Sequence, residues 1–347
     1  MDFREPADEY GLHRVVEPEG ALPQAAHKLD ATDPPFVNEI AIEVERLNID
    51  SASFHQIVAD VGRDVQAVSA RVKEIVASQG KMQNPVTGSG GMLLGTIGAV
   101  GPDYDGPVQP LVGDRIATLV SLTLTPLELD QVREIDFEAD QLIVDGRAYL
   151  WPSAPVVVMP DDLDEAVALA IFDVCGAPAQ THRITRGADS VLVLGAGKSG
   201  MMCAATARET IGESGEVFCI DVDDRNMENL AAADVIDDYR VGDATHPVEV
   251  LRKTEAMHDG EVDVVINTCN VPGTELSAIL PCRNRGTVYY FNMATSFTRA
   301  ALGAEGVGKD VELLIGNGYS DGHAQYAMTI VRKYPILREK LEELTGE

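Results

Sequence analysis

The order strand, glycine turn, helix, strand, acid constrains this chain more than any other feature. Val191-Leu192-Val193-Leu194 leads into Gly195-Ala196-Gly197-Lys198-Ser199-Gly200. A small-residue helix is expected from Met201 to Arg208. Val217-Phe218-Cys219-Ile220 then ends on Asp221, twenty-one residues past Gly200. In such a unit the first glycine makes a tight turn, the second lets backbone approach a pyrophosphate, and the third lets the helix pack close to the strand. The helix N-terminus faces the phosphates, and the acid accepts hydrogen bonds from the adenosine ribose. Gly195, Gly197, Lys198, Ser199, Gly200 and Asp221 are therefore candidate dinucleotide-binding residues. The alternative is an ordinary βα turn without a ligand, but strand, helix and acid all stand where the motif requires them. Gly197-Lys198-Ser199 also ends like a phosphate-binding P-loop; that motif needs a glycine at position 192, which is Leu. A carboxylate at Asp221 binds a ribose 2′-hydroxyl and repels a 2′-phosphate, so NAD is expected over NADP. Asp223 and Asp224 add to the repulsion, and Arg225 works against it.

At 347 residues the chain has room for two domains. No apolar run reaches the ~18 residues of a membrane span, and the first residues lack the basic and apolar regions of a secretory signal. The five cysteines, Cys175, Cys203, Cys219, Cys269 and Cys282, form no CxxC pair and fit a reduced, cytoplasmic setting. Net charge is −29, with acids spread along the chain and only 8 lysines against 19 arginines. Nucleic acid and membrane surfaces are excluded as partners, because no basic patch exists. A salt-loving host and a lineage-wide composition bias both account for the acidity.

Asn38 to Glu45 alternates apolar and polar residues and reads as a strand. Val61, Val65, Val68, Val72, Ile75 and Val76 fall at helical spacing, with Gly80 as the stop. Short strands with glycine turns continue to about Met159, which predicts an all-β, barrel-like domain. From Asp164 the pattern becomes βαβ. Further strands are expected at Val262–Ile266, ending at Asn267, at Gly286–Phe291 and at Val311–Ile315, with a final helix from about His323. The expected fold class is α/β: a doubly wound parallel sheet of Rossmann type plus a β-barrel-type domain. The expected boundaries are 1–163, 164–319 and a C-terminal helical segment 320–347 that returns to the first domain, with no cofactor role. Asn267, Asn292 and Ala294, at strand C-termini, join the cofactor candidates by the crevice rule for open sheets.

Ile49-Asp50-Ser51, the turn Gly90-Gly91-Met92-Leu93-Leu94-Gly95-Thr96-Ile97 and Val112-Gly113-Asp114-Arg115 resemble the medium-chain dehydrogenase/reductase superfamily, which implies a GroES-like first domain. In its zinc members the cysteine ligand aligns with Asp50, the histidine ligand with Gly91, the following glutamate with Met92 and the third ligand with Cys175. Glycine and methionine cannot supply the ligands of a catalytic zinc, and the four-cysteine structural zinc loop is missing. No metal is expected. Longer strings are similar to the L-erythro-3,5-diaminohexanoate dehydrogenase family: Leu47–Phe54, Gly80–Gly91, Asp173–Gln180, Asn292–Phe297 and Ala300–Asp310. That resemblance implies NAD-dependent oxidative deamination at C3 of a small diamino acid, in a homodimer or homotetramer.

Such a reaction needs a base for the amine, acids for two ammonium groups and a cation for the substrate carboxylate. Three residues are candidate catalytic groups. Asp50 stands at the former metal-ligand position; its alternative is a turn-forming Asp that bonds its own backbone. Asp173 lies in an otherwise apolar helix, two residues before Cys175; its alternative is a structural ion pair. Lys81 precedes the glycine turn and suits the substrate carboxylate; its alternative is a solvated lysine. His13 and Arg14 are expected to fold over the site, and Glu305 and Lys309 to form a flap or pair with each other. Rival readings are a zinc-free NAD(P)H-dependent enoyl or quinone reductase and a non-catalytic NAD(H)-binding redox sensor.

Overall fold

The computed structural model describes residues 2–345. The chain divides into two compact units, residues 1–162 and 163–347.

The first unit opens with a short antiparallel pair, β1 (Val15–Glu17) and β2 (Lys28–Leu29). Its body is an antiparallel sheet of β3 (Ile40–Asn48), β4 (Met92–Val100), β5 (Arg115–Thr118), β6 (Leu127–Asp136), β7 (Gln141–Leu150) and β8 (Val156–Val158), in the order β6-β7-β3-β4-β5-β8. Alternation places Ile40, Ile42 and Val44 in the core. A register shift between Val44 and Arg46 then turns Leu47 inward too. Of the apolar stripe expected as one helix, Val61 to Val76, Val61 ends a separate helix, α1 (Ser51–Val61), that the sequence pattern did not suggest, and the rest falls in α2 (Val65–Gln79). Gly62, at φ 88°, ends the first. Asp64 starts the second by accepting the Ala67 N–H at 2.8 Å. Val68, Val72, Ile75 and Val76 complete this core.

His13 and Arg14 staple the N-terminal segment to the sheet of the first unit. Arg14 and Glu39 are fully buried. Arg14 Nε and Nη2 donate to the two Glu39 oxygens at 2.8 and 2.6 Å, and Nη1 donates to the Asp30 and Thr32 carbonyls. The guanidinium carbon lies 4.1 Å from the Tyr149 ring centre. Glu39 also contacts His13 Nε2 at 2.8 Å and accepts the Phe36 N–H at 2.7 Å. Burial alone raises the Glu39 carboxyl, but these donors outweigh it and hold the group below its ordinary range.

The second unit begins with α3 (Glu165–Val174) and α4 (Gly176–Ile184). Its parallel sheet comprises β9 (Ser190–Leu194), β10 (Glu216–Asp221), β11 (Asp238–Val241), β12 (Val262–Asn267), β13 (Cys282–Tyr290) and β14 (Glu312–Ile315), in the order β11-β10-β9-β12-β13-β14. This is the doubly wound order, with its switch point between β9 and β12. The crossovers carry α5 (Lys198–Ile211), α6 (Arg225–Ala232), α7 (Pro247–Glu255), α8 (Glu275–Ile279) and α9 (Phe297–Val307). Every residue of β9 is buried, as a central parallel strand requires.

Residues 320–347 correct the expected organisation. They contain two helices, α10 (His323–Lys333) and α11 (Pro335–Thr345), both packed within the second unit on α3 and α5, with α10 also on α4. Tyr334, extended before Pro335, separates them. Ile330, Val331, Leu337 and Leu341 bury the apolar stripe. The expected flap is corrected as well: Glu305 lies inside α9, and Lys309 pairs with Glu261 and donates to the Cys282 carbonyl at 2.8 Å.

Arg14→Met leaves Glu39 buried without its cation. It is expected to cost the first unit about 3–5 kcal/mol in urea unfolding followed by the single tryptophan, Trp151. Arg14→Met combined with Glu39→Leu should recover most of that loss. Equal losses in the single and double variants would show that the pair's charge is not what matters.

Candidate functional site

The turn after β9 shows why each glycine is there. Gly195 has φ 93°, and a Cβ on it would stand 2.8 Å from Thr268 Oγ1. A Cβ on Gly200 would stand 1.8 Å from the Gly195 carbonyl oxygen, so α5 can lie against the turn only with glycine there. Gly197 is different: nothing lies within 4 Å of its Cβ position. It is the N-cap of α5, and no side chain caps the helix. The first amides of α5 thus stand at an open approach with their dipoles aligned, as a pyrophosphate requires.

Asp221 ends β10 beside this turn. The Ala196 N–H donates to Asp221 Oδ2, and the Asp223 N–H to Oδ1 at 3.1 Å. Each oxygen retains a lone pair for a ribose hydroxyl. A cavity of about 500 Å³ opens here, lined by Ala196, Gly197, Asp221, Asp223, Arg225 and Asn226, among others. Its size suits a nucleoside. Lys340 and Glu343 of α11 also line it, although the sequence suggested no cofactor role for the last helix.

Lys198 does not reach toward this cavity's carboxylates. Its Nζ lies 2.5 Å from Asp173 Oδ2, so a candidate cofactor residue and a candidate catalytic residue form one ion pair. Asp173 is half exposed at the end of α3. Ser199 follows Lys198 in the first turn of α5.

Across the switch point, Asn267 turns inward. It is fully buried, donates to Thr274 Oγ1 at 2.9 Å and accepts the Cys269 N–H at 3.0 Å. Both ends of its amide are thereby used inside the protein. Its carbonyl accepts from the Phe291 N–H and from Asn292 Nδ2. Asn292 Oδ1 in turn accepts the Ala294 N–H at 3.0 Å and the Thr295 hydroxyl. This loop is also anchored by Glu275, buried in α8, which accepts the Ser296 N–H at 2.8 Å. Sequence reasoning missed Glu275, because nothing local separates a buried acid from a solvated one.

In the first unit Asp50 caps α1, accepting the Ser53 N–H at 3.0 Å through Oδ1. Its Oδ2 is buried and has no hydrogen-bond partner among the described residues. Gly91 has φ 104°, and a Cβ there would meet the Asn48 carbonyl oxygen at 2.0 Å. A histidine ligand at position 91 is sterically barred. Met92 offers only a buried thioether, and burial pushes the Cys175 thiol up to about 12, far from a thiolate. These residues do not fit a catalytic zinc, which takes three N, S or O ligands. Among the described residues no group of three or more His, Cys, Asp or Glu is placed to hold a metal ion.

Lys81 is not at a solvated loop tip but fully buried. Its Nζ donates to the Pro23 and Gln24 carbonyls at 2.9 and 3.1 Å. No carboxylate compensates its charge in those contacts, and burial lowers its pKa to about 8.

Gly197→Ala keeps an allowed φ and meets no protein atom, so the fold should hold while the added methyl obstructs the phosphates. At least about tenfold weaker NADH binding is expected with an unchanged melting temperature. Undiminished binding would move the pyrophosphate elsewhere. Lys81 yields a pH prediction. Between about pH 8 and 10.5 the unfolded chain binds more protons than the folded one, so this site's contribution to stability rises with pH. The melting-temperature advantage of wild type over Lys81→Met should widen across that window, and a narrowing gap would contradict the assignment.

Residues 13–160 match the family described as the L-erythro-3,5-diaminohexanoate dehydrogenase N-terminal domain. The chain is 50% identical over 337 residues to an L-erythro-3,5-diaminohexanoate dehydrogenase of Acetoanaerobium sticklandii, covering 96% of this chain and 98% of that one. It is 48% identical, with the same coverage, to the protein of that name from Fusobacterium nucleatum. Among solved structures, an alcohol dehydrogenase from Thermotoga maritima aligns with a TM-score of 0.55 at 14% identity, covering 89% of this chain and 86% of that one, which speaks for the fold alone. With near-complete coverage at half identity, the chain is an oxidoreductase that belongs to the L-erythro-3,5-diaminohexanoate dehydrogenase family.

Proposed function

We propose that this enzyme oxidatively deaminates L-erythro-3,5-diaminohexanoate with NAD, giving 5-amino-3-oxohexanoate, ammonium and NADH, as a step of lysine fermentation. The observation that carries the reading is the half identity, over 96% of the chain, to a protein named for that substrate. The C3 ammonium, NAD⁺ and water go to the ketone, ammonium, NADH and one proton. A nicotinamide held by the second unit supplies the acceptor for the hydride that leaves C3.

This chain's residues have the remaining tasks. The C3 ammonium must lose a proton before its lone pair can assist the departure of hydride. Asp50 suits that task, because its Oδ2 is the carboxylate oxygen left without a partner after the helix cap is made. Gly197 and the α5 amides take the pyrophosphate, and Asp221 takes the adenosine ribose. Asn292 and Ala294 shape the loop at the carboxyl end of β13, where the crevice rule puts the nicotinamide half. Asp173 and Lys81 act as positioning groups: one holds Lys198 at the start of α5, the other ties down the backbone at residues 23 and 24.

The test is NADH formation at 340 nm with L-erythro-3,5-diaminohexanoate, at low and high salt, with and without a chelator. Chelator-resistant turnover is expected. Asp50→Asn should lower kcat at least about tenfold with NAD affinity retained, as loss of a general base does. Full activity in Asp50→Asn would remove Asp50 from the mechanism, and NADH binding without turnover of this substrate would overturn the substrate assignment.

A further inference from the structure

Cations that face the adenosine-side cavity come from two elements far apart in sequence. Arg225 sits at the start of α6, and Lys340 in the middle of α11. Each already has a carboxylate partner. Arg225 Nε lies 3.0 and 2.9 Å from the Asp223 oxygens. Lys340 Nζ lies 2.7 Å from both Glu343 oxygens, and its side chain is only 13% exposed. Leu337 and Leu341 are buried and fix this stretch of α11 against the second unit. The Lys340–Glu343 pair therefore belongs to the cavity wall and not to a freely moving terminus.

The charge arrangement selects against one class of ligand. A 2′-phosphate at Asp221 would bring close to two negative charges into a wall that also carries Asp223, Glu228 and Glu343. Neutralising it requires a cation whose charge is not already matched, and each of the two candidates is paired with a carboxylate. Of the two, Lys340 is the better shielded from solvent, so its pairing matters more.

We infer that α11 is a second determinant of nucleotide choice: the Lys340–Glu343 pair walls the adenosine subsite and withholds Lys340 from a 2′-phosphate, so that Glu343 acts with Asp221 to favour NAD. This rests on the NAD-dependent reading above and extends it to a helix outside the βαβ motif. Removing the Glu343 charge leaves Lys340 free to pair with the phosphate, and removing Lys340 as well cancels that gain.

The experiment titrates NADH and NADPH into the intact protein by nucleotide fluorescence at about 0.1 M salt, where a surface pair still acts. Wild type, Glu343→Gln and the double variant Lys340→Gln/Glu343→Gln are compared, each checked for an unchanged melting temperature. In Glu343→Gln the affinity for NADPH relative to NADH should rise about tenfold, the scale of one charge-assisted contact. In the double variant the ratio should fall back toward wild type, because the gain comes from Lys340. A ratio unmoved by Glu343→Gln, or a gain that survives loss of Lys340, overturns the inference while leaving the NAD reading intact. Wild type that binds neither nucleotide overturns the NAD reading and the inference together.

Discussion

The contact between Gly200 and the Gly195 carbonyl is the constraint from which the second unit's function follows. No side chain fits between them, so α5 starts directly against the turn that leaves β9. That closeness aims the free amides of α5 across the carboxyl edge of the sheet. It also brings the Ala196 N–H onto Asp221, so the same turn fixes the carboxylate proposed to bind the ribose. A methyl at position 200 would push the helix away and uncouple these parts, whereas position 197 stays open because a ligand, not protein, is expected over it. Three glycines in six residues thus do three different steric tasks.

In the first unit the organising interaction is the buried Arg14–Glu39 pair. Such a pair gains little net free energy, because desolvating both ions offsets their attraction. What it supplies is register. Glu39 accepts from Arg14 and from the Phe36 N–H, and Arg14 also reaches the carbonyls of residues 30 and 32. One guanidinium therefore places the N-terminal segment, the β2 exit and the start of β3. Donors in this number explain how a carboxylate stays ionised with no access to water.

Much of this was legible in the residues, and the limit has a physical pattern. The glycine turn, the buried strands β9, β10 and β12 and the acid at Asp221 are readable because their causes are local: φ, side-chain volume and period. The break at Gly62 and Asp64 was hidden because Val61, the last residue of α1, continues the apolar spacing of α2, and only the cap geometry separates the two helices. The burial of Asn267 and Lys81 was not legible, for another reason. Whether the Lys81 ammonium faces solvent depends on residues distant in sequence, Pro23 and Gln24, and whether the Asn267 amide turns inward depends on how the loop after β12 folds back to bring Cys269 and Thr274 onto it. The role of α11 at the cavity lay beyond any local signal, since Lys340 is more than a hundred residues from Asp221. For Asp50 the sequence offered a catalytic acid or base and a turn-forming residue as alternatives; the structure shows the backbone cap through one oxygen and leaves the other without a partner among the described residues.

Gly91 has a consequence for the whole catalytic style of this chain. Its left-handed backbone threads between the carbonyl of Asn48 and the amide of Asp50 with no room for one added carbon. A metal ligand cannot be restored by exchanging that single residue: the side chain would collide with the backbone that carries Asp50 before it could reach a metal. The loop must be re-routed first, and re-routing it disturbs the cap that holds Asp50 in place. The tightness of this turn therefore works as a one-way latch. Substitution at position 91 alone offers this turn no short path to a metal centre.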